Sequence, residues 1–309
     1  MGTESNTSVV REMAYRYNQL YLTPQKGMSG TLEYADIVHY GKLSPEMSRR
    51  IEEEGLCGFK GSENDKLFSE VTPAGKVDVV YLEERSDFER FLQVMAYGCE
   101  PARVAAGIES AEILGITNWR RIEEKMNRYF DETGRRISLR DEMKMFTRNR
   151  KDYQDSIILV GSGGYCGITA EESGFDSLIW DEVSFKIKTY SSCARYIMRR
   201  LFSDYKNIIW EEMLSDCIGL LFAFNRYDVS LAKKFFGVSK KGYDRRGKLI
   251  NFCGEYENSI DQLAVRVSEA IEKLESRTKK LVSSGITDYY DILFSLEENM
   301  NEYVSVIKG

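Results

Sequence analysis

The sequence predicts an α+β fold, with a mixed N-terminal part that holds a few strands and a mostly helical C-terminal part. Two short runs rich in apolar and β-branched residues, at 76–82 and 156–160, have the composition of buried strands. Apolar residues recur at helical spacing over 208–224 and 260–281, and both stretches are too long for ordinary strands. Strands and helices are therefore both expected.

The composition is that of a globular protein with one large domain or two smaller ones. The chain has 309 residues, of which 42% are hydrophobic and 12% aromatic, so apolar residues suffice for a core. Only four prolines occur, which leaves little room for rigid linkers. We predict a mixed α/β part over 1–150 and a mostly helical part over 151–309, with a single domain as the alternative.

Charge and targeting features argue against several classes of protein. The net charge of −6 disfavours binding to nucleic acid or to an anionic membrane. The polar start M-G-T-E-S-N-T predicts no signal peptide, and the longest apolar run, 217–224, is too short to span a membrane. Six cysteines occur without a C-x-x-C pair, so we expect reduced thiols and no zinc–cysteine site. These features predict a cytoplasmic protein.

The N-terminal part alternates between helical and extended patterns. Helices are predicted over 9–22, from Ser86, from Asn118 and over 138–146. The strand over 76–82 directly precedes the second of these helices, which is the arrangement of an α/β unit. The region 25–75 has no clean period, so loops and short elements are expected there.

The C-terminal part is more regular. The strand over 156–160 runs into a glycine-rich loop, G-S-G-G-Y-C-G at 161–167. Helices are predicted over 188–202, 208–224, 226–236 and 260–281, and a last helix begins at Asp288, which caps it. Two long amphipathic helices at the end of the chain predict a helical hairpin.

The helix over 208–224 carries two acids on the face that should be most buried. Glu212 and Asp216 lie one turn apart, among Ile209, Met213 and Leu220. Helix 208–224 is apolar nearly all round, so it belongs in the interior. A buried carboxylate requires a partner or a proton. We therefore expect a cation, a metal or strong donors beside these two acids.

The residue order in this helix, E-x-x-S-D-x-x-G from Glu212 to Gly219, resembles the glutamate helix of the gluzincin zinc peptidases, the thermolysin-like clan. The resemblance implies that Glu212 stands where the clan has its third zinc ligand. Asp216 then stands where an aspartate supports a ligand histidine. The clan's upstream H-E-x-x-H helix supplies two histidines and the general base. The only histidine here is His39, far away in sequence, so that motif is missing.

The helix over 188–202 occupies the place of the H-E-x-x-H helix. Under the resemblance, Ser191 and Arg195 take the two histidine positions and Ser192 takes that of the general base. None of these side chains suits zinc, so we predict no metal and no cofactor. Arg195, helped by Arg199, would neutralise the two acids in place of the metal. A buried structural helix with paired acids explains the same residues equally well.

The favoured function is a catalytically degenerate, metallopeptidase-like protein. It would bind a peptide, a protein or a small ligand in the former active-site cleft, with Ser191, Ser192 and Arg199 as contacts. A pseudoenzyme of this kind is a partner or regulator and not a hydrolase. Neither a nucleic-acid nor a membrane partner is expected.

Two other functions remain open. A non-metal enzyme would use Glu212 or Asp216 as general acid or base, with Arg195 orienting an anionic substrate. A nucleotide-binding enzyme would cradle phosphate on the loop 161–167, through Gly161, Gly163 and Gly164. This loop, however, matches neither common phosphate-binding motif.

Overall fold

The computed structural model describes residues 8–54, 56, 58–105, 107–136, 138, 144, 149–202, 207–244, 247–252, 260–299, 303–305 and 307. Helices predominate, and a mixed four-stranded sheet and a small two-stranded sheet complete the fold. The α+β class predicted from the sequence is confirmed.

The elements follow one another in chain order. The α-helices of the described residues are α1 (Val9–Arg16), α2 (Leu32–Tyr34), α3 (Pro45–Glu54), α4 (Arg85–Met95), α5 (Trp119–Thr133), α6 (Ala170–Ser173), α7 (Ser177–Leu201), α8 (Ile208–Phe224), α9 (Val229–Phe236), α10 (Ile260–Ser283) and α11 (Tyr289–Glu297). The strands are β1 (Lys66–Thr72), β2 (Gly75–Leu82), β3 (Ser110–Thr117), β4 (Gln154–Gly161), β5 (Val238–Ser239) and β6 (Gly242–Tyr243). Short 3₁₀ turns include Tyr165–Gly167 and Lys248–Phe252.

The chain forms two compact units. Unit 1 comprises Met1–Ser69, Val77–Ala105 and Ala111–Gly161. Unit 2 comprises Glu70–Lys76, Ala106–Ser110 and Ser162–Gly309. Each unit is described by itself below.

The four-stranded sheet has the strand order β1-β2-β4-β3. Strands β2 and β4 are parallel, with Val80 opposite Leu159 in the centre of both. A two-residue turn joins β1 to β2, which makes that pair antiparallel. The Asn118 N–H donates to the Tyr153 carbonyl at 2.8 Å, so the end of β3 lies beside the start of β4. The sheet is therefore mixed.

The four-stranded sheet contains both predicted strands and two further strands that the sequence does not announce. Strand β1 has one buried residue, and Val71 is 78% accessible, so it lacks the apolar run of a buried strand. Helix α3 lies in the region that was expected to hold only loops and short elements. It was not predicted because most of its residues are charged or polar. The first helix ends at Arg16 and a 3₁₀ turn follows. The helix predicted over 138–146 falls outside the described residues.

Helices α7 and α8 form an antiparallel hairpin at the centre of unit 2. Tyr190 stacks on Phe222 with ring centroids 3.8 Å apart, while Arg195 pairs with Glu212. Later residues of α7 therefore contact earlier residues of α8, so the two helices run in opposite directions. The connection between the helices spans only the residues from 202 to 207, which suits neighbouring antiparallel helices.

Helix α7 begins at Ser177, well before the predicted start at residue 188. Asp176 caps it by accepting a hydrogen bond from the Leu178 N–H at 3.0 Å. Leu178 and Ile179 are exposed, which breaks the apolar stripe of the first turn and hides the helix start in the sequence. Helix α8 spans the predicted residues, and the predicted cap Asp288 precedes α11.

The two hairpin helices approach closely where both carry small residues. A Cβ atom on Gly219 would overlap the Ser191 Oγ and would lie 2.8 Å from the Ile187 carbonyl oxygen. Both Ser191 and Gly219 are fully buried. The glycine of the E-x-x-S-D-x-x-G pattern therefore serves close helix packing.

We predict that Gly219→Ala lowers the free energy of unfolding by about 1–3 kcal/mol, because the added methyl group overpacks the helix interface. Urea denaturation of both proteins measures the difference. Gly30→Ala is the matched control, because nothing lies within 4 Å of the added atom and the residue does not need positive φ. Equal stability of the Gly219 variant and the wild type would contradict the close approach.

Candidate functional site

A buried lysine lies between the two acids of α8. Lys248 Nζ is 3.0 Å from Glu212 Oε2 and 2.8 Å from Asp216 Oδ1. The side chain of Asp216 is 1% exposed and those of Lys248 and Glu212 are 11% and 12% exposed. One ammonium group therefore partners two carboxylates in a region nearly free of solvent.

Arg195 supplies a second cation. Its guanidinium lies 3.3 Å from Glu212 Oε2, so the pairing expected between these two residues is present. The same guanidinium donates to the Ser192 Oγ at 3.0 Å and to the Ser110 Oγ at 3.4 Å. Hydrogen bonds to serine hydroxyls hold the planar group in position beside the carboxylate. Asp216 has Lys248 as its cation, in place of the arginine that we predicted.

Tyr165 completes the surroundings of Asp216. Its hydroxyl donates to Asp216 Oδ1 at 2.6 Å, the oxygen that Lys248 also contacts. The other oxygen, Oδ2, is buried and has no hydrogen-bond partner among the described residues. We call Tyr165, Arg195, Glu212, Asp216 and Lys248 the ion cluster. All its members belong to unit 2.

Two glycines allow Lys248 to reach the cluster. Gly237, which ends α9 with φ +67°, and Gly247 are in contact, and a Cβ on either would overlap the backbone of the other. The Asp244 N–H donates to the Gly237 carbonyl at 2.7 Å, which holds the returning chain against the end of α9. Lys248 follows directly, with its ammonium 4.7 Å from the centre of the Phe236 ring.

The two carboxylates have different proton affinities. Burial raises the pKa of Glu212, but Lys248 and Arg195 together outweigh burial and bring that pKa down to about 2. Burial is also the largest influence on Asp216, and with the nearby Glu212 it keeps the Asp216 pKa above its ordinary value, against the opposing effect of Lys248. The acids raise the pKa of Lys248 well above normal despite its burial. The lysine is therefore charged at neutral pH.

The predicted ligand contacts Ser191 and Ser192 lie inside the hairpin. Both are fully buried, so a ligand would reach neither without a rearrangement. Arg199 is more accessible, and its Nε donates to Glu211 Oε1 at 2.8 Å. Their role as ligand contacts stays a prediction.

The loop of unit 2 at 162–167 uses its polar groups internally. The Gly167 N–H donates to Glu109 Oε1 at 2.9 Å, and Lys188 Nζ donates to the Gly163 carbonyl at 2.7 Å. A Cβ on Gly164 would overlap the Ile168 carbonyl oxygen, so close packing accounts for this glycine. The next helix, α6, has only four residues. These contacts lend no support to a phosphate cradle. Gly161 belongs to unit 1, where it packs on the Phe88 ring.

The residues at the positions implied by the gluzincin resemblance do not suit a zinc ion. Ser191 and Arg195 stand at the histidine positions, and the Arg195 guanidinium and the Lys248 ammonium already contact Glu212. Within the described part of the chain, no group of three or more His, Cys, Asp or Glu side chains is arranged to hold a metal. His39 lies in unit 1, in the π-helical turn Ala35–His39.

Sequence reasoning missed two members of the ion cluster. Lys248 is a single lysine in the run G-K-L-I, and it lies 32 positions from Asp216. The available signal was that this lysine lies beside apolar residues, where a charged side chain requires a partner. Tyr165 is part of the glycine-rich loop. The glycines of this loop indicated a phosphate site, and no role was predicted for the tyrosine hydroxyl.

The fold and the site define an α+β protein with a buried ion cluster in a helical hairpin. The chain matches the model of a family of unknown function, DUF7005, over residues 2–300, and it belongs to that family. No curated protein and no solved structure matches the chain. The family description names no activity, so the gluzincin resemblance remains a prediction. Across the described residues, no helix combines the length and apolar character needed to cross a membrane.

We predict that Lys248→Met lowers the free energy of unfolding by about 3–5 kcal/mol, because two buried acids lose their shared cation. The methionine side chain is similar in length, so packing changes little. Lys186→Met is the matched control, since it removes the lysine of an exposed pair with Glu182 and should cost about 0.5 kcal/mol or less. Equal losses in the two variants, measured by urea denaturation, would show that Lys248 has no special role.

The lowered pKa of Glu212 predicts a pH-dependent stability. A carboxylate with a folded pKa of about 2 and an ordinary value of 4.5 stabilises the fold above pH 4.5, and this stabilisation is lost as the pH falls toward 2. The free energy of unfolding of the wild type should therefore exceed that of Glu212→Gln by about 3 kcal/mol at pH 7, and this difference should shrink below pH 4.5. Denaturation at several pH values measures it, with the exposed Glu182→Gln as control. A difference that is constant with pH would contradict the pairing.

Proposed function

We propose that this chain is a catalytically degenerate, metallopeptidase-like protein that binds a peptide or small ligand beside the α7–α8 hairpin. The observation that carries the proposal is the Lys248 ammonium between Glu212 and Asp216, with Arg195 on the same glutamate. Two protein cations contact the acid that the resemblance assigns to the metal. A zinc ion would have to displace both.

The geometry of the hairpin supports the gluzincin comparison. The resemblance assigns position 195 and Glu212 to the same metal, and their side chains are 3.3 Å apart. It also assigns Asp216 to the support of a ligand histidine, and Ser191, at one of the two histidine positions, packs against Gly219, one turn beyond Asp216. We further propose a cytoplasmic location, in accordance with six cysteines that include no C-x-x-C pair.

The ligand would meet the rim of the ion cluster. Arg195, Glu212 and Lys248 keep 8%, 12% and 11% of their side-chain surface exposed, whereas Asp216 is enclosed. The exposed edges of the cluster offer an arginine, a lysine and a carboxylate. Peptide backbone and terminal carboxylate groups complement these donors and acceptors. A peptide or protein segment is therefore preferred among the ligands.

A non-metal enzyme is the second candidate, and the Asp216 carboxyl favours it. The Asp216 pKa is raised by burial, and one of its oxygens lacks a hydrogen-bond partner among the described residues. A carboxyl group with a raised pKa suits proton transfer. Arg195 would orient an anionic substrate. Activity that Asp216→Asn and Glu212→Gln both abolish would favour this alternative over a binding protein.

We expect the wild-type protein to contain no stoichiometric zinc and to hydrolyse casein no faster than buffer does. We expect Arg195→His combined with Lys248→Ala to bind about one zinc ion, because imidazole then joins Glu212, the residue at the third ligand position, without competing cations. Elemental analysis and calorimetric zinc titration measure both. Arg199→His with Lys248→Ala is the matched control, and its zinc affinity should be at least about tenfold weaker.

Stoichiometric zinc or hydrolysis in the wild type would overturn the degenerate assignment. Equal zinc binding by the two double variants, with folding verified by circular dichroism, would contradict the metal-site geometry. Ligand binding is tested separately by equilibrium dialysis against a pool of random hexapeptides. We expect wild type to retain a subset of the peptides that Lys248→Met does not, and no retention by wild type would contradict a peptide ligand.

A further inference from the structure

A second feature of unit 2 is a cavity away from the ion cluster. It has a volume of about 610 Å³ and lies among the end of α8, the start of α9 and the later turns of α10. No member of the ion cluster lines it. Cavities of about 300–1,000 Å³ are typical of small-molecule sites.

A tyrosine hydroxyl is available in this cavity. Tyr227 lines it and is only 6% exposed. Its hydroxyl makes no hydrogen bond to any residue within the described ranges. Burial raises the pKa of Tyr227 well above its ordinary value, so the hydroxyl keeps its proton and acts as a donor. An acceptor on a ligand in the cavity would give this donor a hydrogen-bond partner.

The other lining residues favour a ligand that is largely apolar and uncharged. Leu221, Val229 and Val282 supply the apolar part of the lining, and Asn225, Ser230, Thr278 and Ser283 are neutral polar residues. Its charged residues balance, since Arg226 and Lys279 are matched by Asp228 and Glu275. The two closest charged pairs already satisfy each other, with Lys279 to Glu275 at 2.7 Å and Arg226 to Asp228 at 3.5 Å. No net charge selects for an anion or a cation.

We propose that this cavity binds a neutral, mainly apolar small molecule that carries a carbonyl or ether oxygen, which accepts a hydrogen bond from the Tyr227 hydroxyl. The apolar side chains bury the body of the ligand, and the Tyr227 hydroxyl sets its orientation. This site goes beyond the proposed function, because it uses other residues of unit 2. The ion cluster and this cavity are therefore tested independently.

Benzophenone is the probe, because it is neutral, has one carbonyl acceptor and crosslinks to nearby C–H bonds under ultraviolet light. Binding to the full-length protein is followed by ligand-observed NMR, and the crosslinked peptide is identified by mass spectrometry. We expect one labelled site, in peptides from 221–230 or 275–283. Diphenylmethane, which lacks the carbonyl, should bind about fivefold more weakly.

Tyr227→Phe removes only the hydroxyl and should weaken benzophenone binding about fivefold while leaving diphenylmethane binding unchanged. Tyr290→Phe is the matched control, because Tyr290 is a buried tyrosine outside the cavity, and it should leave both affinities unchanged. Ser230→Trp fills the cavity from its exposed side and should abolish labelling. Labelling elsewhere, labelling that survives Ser230→Trp, or equal affinity in wild type and Tyr227→Phe would overturn the proposal.

Discussion

Desolvated charge is the constraint on which unit 2 depends. Helix α8 buries Glu212 and Asp216 against α7, and an enclosed carboxylate is tolerated only beside a cation or a proton. Lys248 meets this requirement for both acids, from a segment that follows β6. The two acids lie on a helix that is distant in sequence from this segment. They require the segment, and the two glycines that let it approach, to lie beside them.

The ion cluster and the close helix crossing reinforce each other. Ser191 and Gly219 let the hairpin helices approach, and the approach excludes water from the carboxylates nearby. In a region of low dielectric, each ion pair becomes stronger and each missing partner becomes more costly. A closed cluster of this kind suits a rigid scaffold, in which Asp216 Oδ2 is the one buried cluster oxygen without a hydrogen-bond partner among the described residues.

Local patterns predicted the parts of the fold that depend on short-range physics. Strands β2 and β4 have continuous apolar runs, and α8 and α11 have strong caps and periodicity, so all four were found. Strand β1 mixes apolar and polar residues without a long apolar run, and helix α3 is mostly charged or polar, so neither has a clear sequence pattern. The acids of the site were predicted because charge interrupts an apolar helix. Lys248 was missed because its contact spans 32 positions and no local spacing encodes it.

The shared lysine also limits how this sequence can diverge. Loss of Lys248 alone leaves two acids competing for one arginine, and loss of Asp216 alone leaves a buried ammonium with a single acid. Each such step costs a large fraction of the stability of an ordinary domain. Replacement of Asp216 and Lys248 together by apolar residues keeps the interior neutral and is far less costly. Within the family, these two positions are therefore expected to change together, as a neutral pair, and seldom one at a time.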